Sequence, residues 1–320
     1  MKRIESLLLL AIVVLMSSCW KEEEAVDPYP RGNSMEAQLE MGSGYEDQIY
    51  FNLGDNQIVK SNSKYLWDIA FSCQSDSTIR LNSGRNIRAA NSGLTDFLLV
   101  NDTSGQEFKW DWSNGKNDST ALYGAFFSDN IFIIDLGSDA DFNSLGFIKA
   151  RFTLDGENLQ VEYASLESND TKTVTLIPDQ AFNHVHYSFL TDEYVSAEPP
   201  KDSYDVVFTQ YVYYFEEEQL AYLVVGTLIN PYSTVCYKEF ELAFDDISAS
   251  EIDEGKFSTD HDIIGYDWKY FNLGEGTFVV QDEQNYILKD SDGFFYKLHF
   301  TGFYNKNGEK GYPVIAHAKI

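Results

Sequence analysis

The chain has 320 residues and a formal net charge of −28, because 51 acidic side chains outnumber 23 basic ones. A charge this negative repels phosphate backbones and argues against binding to nucleic acid. Apolar residues make up 43 % and aromatic residues 15 %, a composition typical of folded and not of disordered chains. Three cysteines are too few for a disulfide framework, and the length allows about two domains.

Residues 1–18 are predicted to be a signal peptide. Lys2 and Arg3 precede an apolar run at residues 7–15, which is shorter than the roughly 20 residues that span a bilayer. The run leads into Ser17, Ser18 and Cys19, a sequence that resembles a bacterial lipobox. The resemblance implies cleavage before Cys19, lipidation of its thiol and anchoring in a lipid bilayer. An ordinary secretory signal with an incidental cysteine is the alternative.

Residues 19–44 are predicted to be a flexible acidic tether. This segment opens with Trp-Lys-Glu-Glu-Glu at residues 20–24 and contains prolines and glycines but few apolar residues. An acidic run behind a lipidated cysteine resembles the surface-export signal of Bacteroidota lipoproteins, and a solvated linker is the alternative. The sequence therefore leaves open whether the protein faces the periplasm or the exterior.

From residue 45 onward, short segments with a period of two predict β-strands separated by Asn, Asp, Gly and Ser. The pairs Asp155-Gly156 and Asp292-Gly293 are typical of hairpin turns. No window of 12 or more residues has a helical period, although residues 244–255 are predicted to form a short acidic helix. The sequence thus predicts an all-β fold with few or no long helices.

Two segments of the chain, residues 50–71 and 187–208, align without a gap at an offset of 137 residues. Their identical pairs include Tyr50/Tyr187, Leu53/Leu190, Lys64/Lys201, Asp68/Asp205 and Phe71/Phe208. A second pair, residues 147–152 and 295–300, follows in the same order. The pattern predicts an internal duplication, with two related antiparallel β-rich halves at residues 45–175 and 176–320. Whether the halves are separate domains stays open.

The segment Trp-Asp-Ile-Ala-Phe at residues 67–71, followed by Ile-Arg-Leu-Asn-Ser-Gly at 79–84, resembles the HmuY family. Residues 204–209 and the C-terminal run 290–313 share this resemblance, which covers most of residues 45–320. The family comprises Bacteroidota surface lipoproteins of mostly β fold, and its best-known members bind haem. The resemblance implies haem or tetrapyrrole capture for iron acquisition at the outer membrane or cell surface, with a TonB-dependent receptor as a partner. The alternative is a non-haem module that binds a glycan, a peptide or a partner protein.

Two histidines are the candidates for the axial ligand that haem iron takes from a protein. His184 and His186 are two residues apart on a predicted strand, so they point to the same face. Two ligands on one face cannot hold opposite sides of one haem, so a bis-histidine site needs a distant partner. The alternative is a pair of ordinary polar positions. His261 lies between Asp260 and Asp262, which are expected to raise its pKa.

A basic patch and two tryptophans complete the candidate site. Arg80, Arg85 and Arg88 lie in a stretch without acidic residues and are candidates for pairing with haem propionates. The alternative is that they pair with neighbouring acids. Trp110 and Trp112 lie in a polar loop and are candidates for stacking on a porphyrin or a sugar.

Catalytic motifs of hydrolases, zinc proteases and P-loop enzymes do not occur, so no enzymatic role is predicted. Residues 139–143 mimic the start of an EF-hand loop, but Ser144 and Ala150 stand where the loop requires Gly and Glu, so no metal site is predicted. Pairing of Cys73 with Cys236 stays open.

Overall fold

The computed structural model describes residues 32–320, so the signal peptide, Cys19 and the start of the tether lie outside the described residues. The described chain forms 20 strands, all paired antiparallel, and the all-β prediction is confirmed. In the central strands the period-two alternation places apolar side chains in the core. Strand β19 (Phe295–Tyr304), for example, alternates buried and half-buried residues along much of its length.

Two five-stranded sheets carry most of the apolar core. The strands of the first sheet are β6 (Arg88–Asn91), β7 (Phe132–Asp135), β8 (Phe147–Asp155), β9 (Asn158–Ser165) and β10 (Lys172–Leu176), in the order β10-β9-β8-β7-β6. Those of the second are β1 (Met35–Gln38), β15 (Val235–Glu239), β18 (Asn285–Lys289), β19 and β20 (Lys310–Lys319), in the order β1-β20-β19-β18-β15.

Two four-stranded sheets each combine a hairpin from one half with a hairpin from the other. One contains β4 (Ile69–Ser72), β5 (Ile79–Leu81), β11 (His184–Ser188) and β12 (Glu193–Val195), in the order β12-β11-β4-β5. The other contains β2 (Asp47–Asn52), β3 (Gln57–Ser63), β13 (Val206–Phe215) and β14 (Leu220–Ile229), in the order β14-β13-β2-β3. A separate hairpin joins β16 (Lys269–Asn272) to β17 (Thr277–Val280).

The described residues contain only short 3-10 helices, each of three residues. They are Ser83–Arg85, Phe97–Leu99, Asn117–Ser119, Ala125–Phe127, Phe244–Asp246, Ala249–Glu251 and Glu254–Lys256. The predicted acidic helix at residues 244–255 is therefore wrong. Its first carbonyl groups are bonded elsewhere, because the ammonium group of Lys297 donates to the carbonyl oxygens of Phe244 and Ile247. Within the described part of the chain no helix is long and apolar enough to cross a membrane.

The predicted tether extended to residue 44, and its last third is part of the fold. Met35–Gln38 forms the edge strand β1 on β20, and Leu39 and Met41 are fully buried in the second core. The boundary at residue 44 is therefore wrong. The sequence did not reveal this strand because its inward-facing residues are too few to produce a period.

Two buried aspartates join the hairpins that the halves exchange. The carboxylate of Asp68 accepts hydrogen bonds from the backbone amides of Phe189 and Leu190, in the turn after β11. Asp205 in the same way accepts from the amide of Leu53, in the turn after β2. Each aspartate thus lies in one half of the sequence and binds a turn of the other half.

Two asparagines show the same correspondence. Asn82 donates to the carbonyl oxygens of Lys64 and Trp67, and Asn230 donates to those of Lys201 and Tyr204. Two lysines also match: Lys149 bonds the carbonyl oxygens of Phe97 and Val100, as Lys297 bonds those of Phe244 and Ile247. Such matched contacts are the pattern that a duplication would leave, and the duplication itself stays a prediction.

The first prediction concerns Asp205. Burial raises the pKa of this carboxyl from 3.8 to about 6, against the opposing effect of the Leu53 amide. The folded state binds the proton more tightly than the unfolded state. The free energy of unfolding therefore falls as the pH rises from below 3.8, the ordinary pKa, to above 6, the pKa in the folded state. Between pH 4.5 and 7.5 the free energy of unfolding of the wild type should fall by about 2 kcal/mol. That of Asp205→Asn should not show this fall.

The measurement is urea unfolding of both proteins at the two pH values. Asp202→Asn, which changes an exposed carboxyl three residues away, is the matched control and should follow the wild type. A parallel loss of stability in the wild type and in Asp205→Asn would contradict the prediction.

Candidate ligand-binding site

A cavity of about 150 Å³ lies between the two four-stranded sheets. Strands of both sheets and several loops form its wall, which includes the side chains of Arg80, Trp112, His184, His186, Glu198 and His261. The structure thus brings together the predicted histidines, one predicted arginine and one predicted tryptophan. Aromatic side chains of Tyr50, Trp67, Tyr204 and Tyr211 also line the cavity.

His184 opens strand β11 and is held by a single carboxylate. Glu198 accepts a hydrogen bond from the His184 backbone amide with one oxygen, and its other oxygen lies 3.2 Å from the ring Nδ1. Both residues are buried, with 9 % and 5 % of their surfaces exposed. The other ring nitrogen, Nε2, is shielded from solvent and has no hydrogen-bond partner among the described residues.

His186 lies on the same face of β11, as the period of two predicted. Its ring packs edge-on against Trp67, with 4.9 Å between the ring centroids, and 5.9 Å separates it from the ring of His184. Burial lowers the pKa of His186 to about 4. The imidazole is therefore neutral at physiological pH, the form in which histidine binds metals.

His261 reaches the same cavity from the loop between β15 and β16, in the same half of the sequence as His184. The expectation that Asp260 and Asp262 raise its pKa is wrong: burial, Arg80 and His184 together lower this pKa well below its usual range. Asp260 pairs instead with Lys116, and Asp262 accepts from Ser113. The backbone at Gly115 (φ +77°) runs against this ring, and an added Cβ would lie 2.2 Å from its Nδ1.

The three predicted arginines have different surroundings. Arg80 lines the cavity and donates to the carbonyl oxygen of Gly115, while its Nε is buried without a partner among the described residues. Arg85 is buried in an ion pair with Asp68 and also donates to the carbonyl oxygen of Leu136. Arg88 pairs with Asp135 at 3.0 Å. Only Arg80 is placed to meet a ligand in this cavity.

A second cavity lies on the other side of the same wall. It measures about 370 Å³ and shares His184, His186 and Glu198 with the first. The segment after β12 closes this side, and Lys60 fixes it by donating to the Ser196 hydroxyl at 2.7 Å and to the Glu198 carbonyl oxygen at 3.3 Å.

A groove of about 930 Å³ contains the two predicted tryptophans. Trp112 stacks on Tyr214 with 5.6 Å between the ring centroids and an angle of 16°, and 39 % of its surface is exposed. Trp110 donates its indole N–H to Asn86 and packs on the guanidinium of Arg88. Trp112 also reaches the cavity between the sheets, whereas Trp110 does not.

Sequence reasoning missed the contribution of Glu198 altogether. It is one of 51 acidic residues, and only the end of β12 at Val195 brings its side chain to His184. Cys73 and Cys236 are both buried and free. No cluster of three or more His, Cys, Asp or Glu side chains suited to a metal ion occurs among residues 32–320.

Comparison with known proteins gives one match to a family model. The model described as HmuY protein matches residues 44–317, most of the chain. None of the curated protein sequences compared with this chain matches it.

Three solved structures resemble the chain over most of their lengths at 10 % identity. Apo PinO from Porphyromonas gingivitis has a TM-score of 0.37, with 90 % of this chain and 97 % of that chain covered. The apo HmuY analog of Tannerella forsythia has a TM-score of 0.26, with coverages of 91 % and 98 %. A putative HmuY-like heme binding protein from Bacteroides vulgatus has a TM-score of 0.24, with coverages of 89 % and 90 %.

Proposed function

The chain belongs to the HmuY family, and we propose that it binds haem or a related tetrapyrrole in the cavity between the four-stranded sheets. The observation that carries the proposal is the state of His184. Its Nδ1 is held by a buried carboxylate, while its Nε2 is buried and has no partner among the described residues. Metal-binding histidines have this arrangement, with one ring nitrogen on the metal and the other on a carboxylate.

The residues of the wall fit the parts of a haem. His184 would hold the iron through a ring nitrogen, and His261 would be the second histidine that a bis-histidine site requires. Arg80 provides a guanidinium for a propionate, and the rings of Trp67, Tyr50 and Tyr204 provide a flat apolar surface. Bound haem would supply the iron and four of its nitrogen ligands.

The size of the cavity requires the wall to open. Pockets for drug-sized ligands measure roughly 300–1,000 Å³, and this cavity measures about 150 Å³. The second cavity adds space directly behind His184 and His186. We therefore expect the wall to widen when the ligand enters, with the contact between Glu198 and His184 kept.

The second prediction tests His184 as an iron ligand. Wild-type residues 32–320 titrated with haemin should give a saturable 1:1 Soret band. His184→Ala should lose this band or shift it, since the iron would lack its axial nitrogen. His317→Ala is the matched control, because His317 is also buried but lies on β20, outside the cavity.

Circular dichroism and urea unfolding check that each variant is folded. A wild-type titration without a band beyond that of free haemin would contradict haem binding. A folded His184→Ala with an unchanged spectrum would contradict the ligand assignment alone.

We also propose that the protein is a lipoprotein of the outer membrane or cell surface that passes its ligand to a TonB-dependent receptor. The lipobox at Ser17-Ser18-Cys19 and membership in a family of surface lipoproteins support this proposal. A lipid anchor and an acidic tether would hold the binding domain near the membrane while leaving it free to turn toward a receptor.

The third prediction concerns this anchor. Cells that express the full chain with labelled palmitate should incorporate the label, and Cys19→Ala should abolish incorporation and release the protein from the membrane fraction. Cys73→Ala is the matched control, because Cys73 is a buried free thiol. Label retained in Cys19→Ala would contradict lipidation at this residue.

A second candidate function rests on the groove at Trp112. Its stacked aromatic pair is partly exposed, and amide and hydroxyl groups of Asn91, Gln106, Ser119 and Gln219 surround it. Flat aromatic faces with polar groups at their edges suit the C–H faces and hydroxyls of a sugar. A neutral glycan is therefore the alternative ligand, bound with or without haem.

The fourth prediction tests this alternative by calorimetry with neutral hexasaccharides of glucose, xylose and mannose. If the groove binds glycans, one of them should bind the wild type, and Trp112→Ala should weaken it about tenfold. Tyr270→Ala removes a more exposed aromatic ring, on the β16–β17 hairpin, and is the control. Lack of binding by every sugar in the set would reject the glycan function.

A further inference from the structure

We propose that Glu198 is a positioning residue for iron ligation, an inference that rests on the proposed haem function. Its carboxylate holds His184 in the tautomer with hydrogen on Nδ1, so that the Nε2 lone pair is presented to the iron. Its negative charge also favours ferric over ferrous haem.

The backbone explains why Glu198 is in this place. Strand β12 pairs with β11 only as far as Val195 opposite His186, so the amide of His184 has no strand partner on that side. The chain after β12 places Glu198 next to this amide. One of its carboxylate oxygens accepts a hydrogen bond from the amide, in place of a strand carbonyl. This contact alone accounts for one oxygen of the side chain.

The second carboxylate oxygen of Glu198 does not bond this backbone amide. It lies 3.2 Å from Nδ1 of His184, within reach of a hydrogen bond that Nδ1–H donates. A carboxylate has no hydrogen to give, so this contact requires the hydrogen to be on Nδ1. In the neutral ring, Nε2 then carries the lone pair that binds a metal.

The surroundings keep the carboxylate in place. Lys60 donates to the side-chain hydroxyl of Ser196 and to the backbone carbonyl oxygen of Glu198, on either side of Ala197, which is itself buried. A buried carboxylate hydrogen-bonded to an axial histidine makes that ligand more basic, and a more basic ligand stabilises the higher charge of ferric iron.

Glu198→Gln is the decisive variant, because glutamine has a single acceptor. If its oxygen keeps the bond to the His184 amide, its NH2 group faces Nδ1, and the ring is driven to carry its hydrogen on Nε2. We expect two results. In the ligand-free protein, the long-range ¹H–¹⁵N NMR spectrum of His184 should change from the Nδ1–H to the Nε2–H tautomer. In the haem complex, the preference for ferric over ferrous haem should fall about tenfold, a rise of about 59 mV in midpoint potential.

Glu193→Gln changes an exposed carboxylate on β12 and is the matched control, which should leave both readouts unchanged. If Glu198→Gln does not fold, Glu198→Asp replaces it. The shorter side chain keeps the charge but withdraws it from Nδ1, so we expect a smaller rise in midpoint potential than in Glu198→Gln. The proposal is overturned if folded Glu198→Gln leaves either the tautomer or the midpoint potential unchanged, or if Glu198→Asp, used in its place, leaves the midpoint potential unchanged.

Failure of the proposed haem function and failure of the proposed role of Glu198 give different results. If the wild type binds no haemin, the proposed haem function fails, while the NMR spectrum of the ligand-free protein still decides whether Glu198 sets the tautomer of His184. If haemin binds and the tautomer is the same in wild type and Glu198→Gln, the haem function stands and the role of Glu198 is rejected.

Discussion

The fold depends on two buried carboxylates that each bind a turn of the other half. Asp68 and Asp205 accept backbone amides from turns that are more than 100 residues away in sequence. These bonds fix the exchanged hairpins, and each apolar core then includes side chains from both halves, such as Tyr187 and Phe189 in one and Phe51 and Leu53 in the other. The cavity lies between the two sheets that the exchange creates, so its wall cannot form from either half alone.

The chemistry of the cavity comes from what differs between the matched halves. The residues that align with His184 and His186 are Asp47 and Ile49, and the one that aligns with Glu198 is Ser61. The first half therefore has neither the imidazoles nor the carboxylate, although the surrounding backbone corresponds. The imidazoles of the cavity and the carboxylate beside His184 thus come from the second half alone, which agrees with the view that function lies in side chains placed on a fold.

Local patterns predicted the strands well, because alternation of apolar residues and Asp-Gly turns act over a few residues. Elements that depend on distant partners were not predictable: β1 pairs with the edge of β20, and the carbonyl groups of Phe244 and Ile247 accept hydrogen bonds from the distant Lys297. The same limit applies to the site. The spacing of His184 and His186 predicted a shared face, whereas the contact of His184 with Glu198 follows only from where β12 ends.

Four buried polar atoms in the wall of the cavity have no hydrogen-bond partner among the described residues. Besides Nε2 of His184, they include Nε of Arg80, the hydroxyl of Tyr211 and the amide oxygen of Asn82, all in its wall. Each buried polar atom without a partner costs roughly 1–3 kcal/mol, and this cost lowers the stability of the ligand-free fold. A ligand that offers iron to a nitrogen and carboxylates to a guanidinium would satisfy two of these atoms at once. The cost of arranging these groups is then met during folding, and the ligand meets a site whose donors are already oriented.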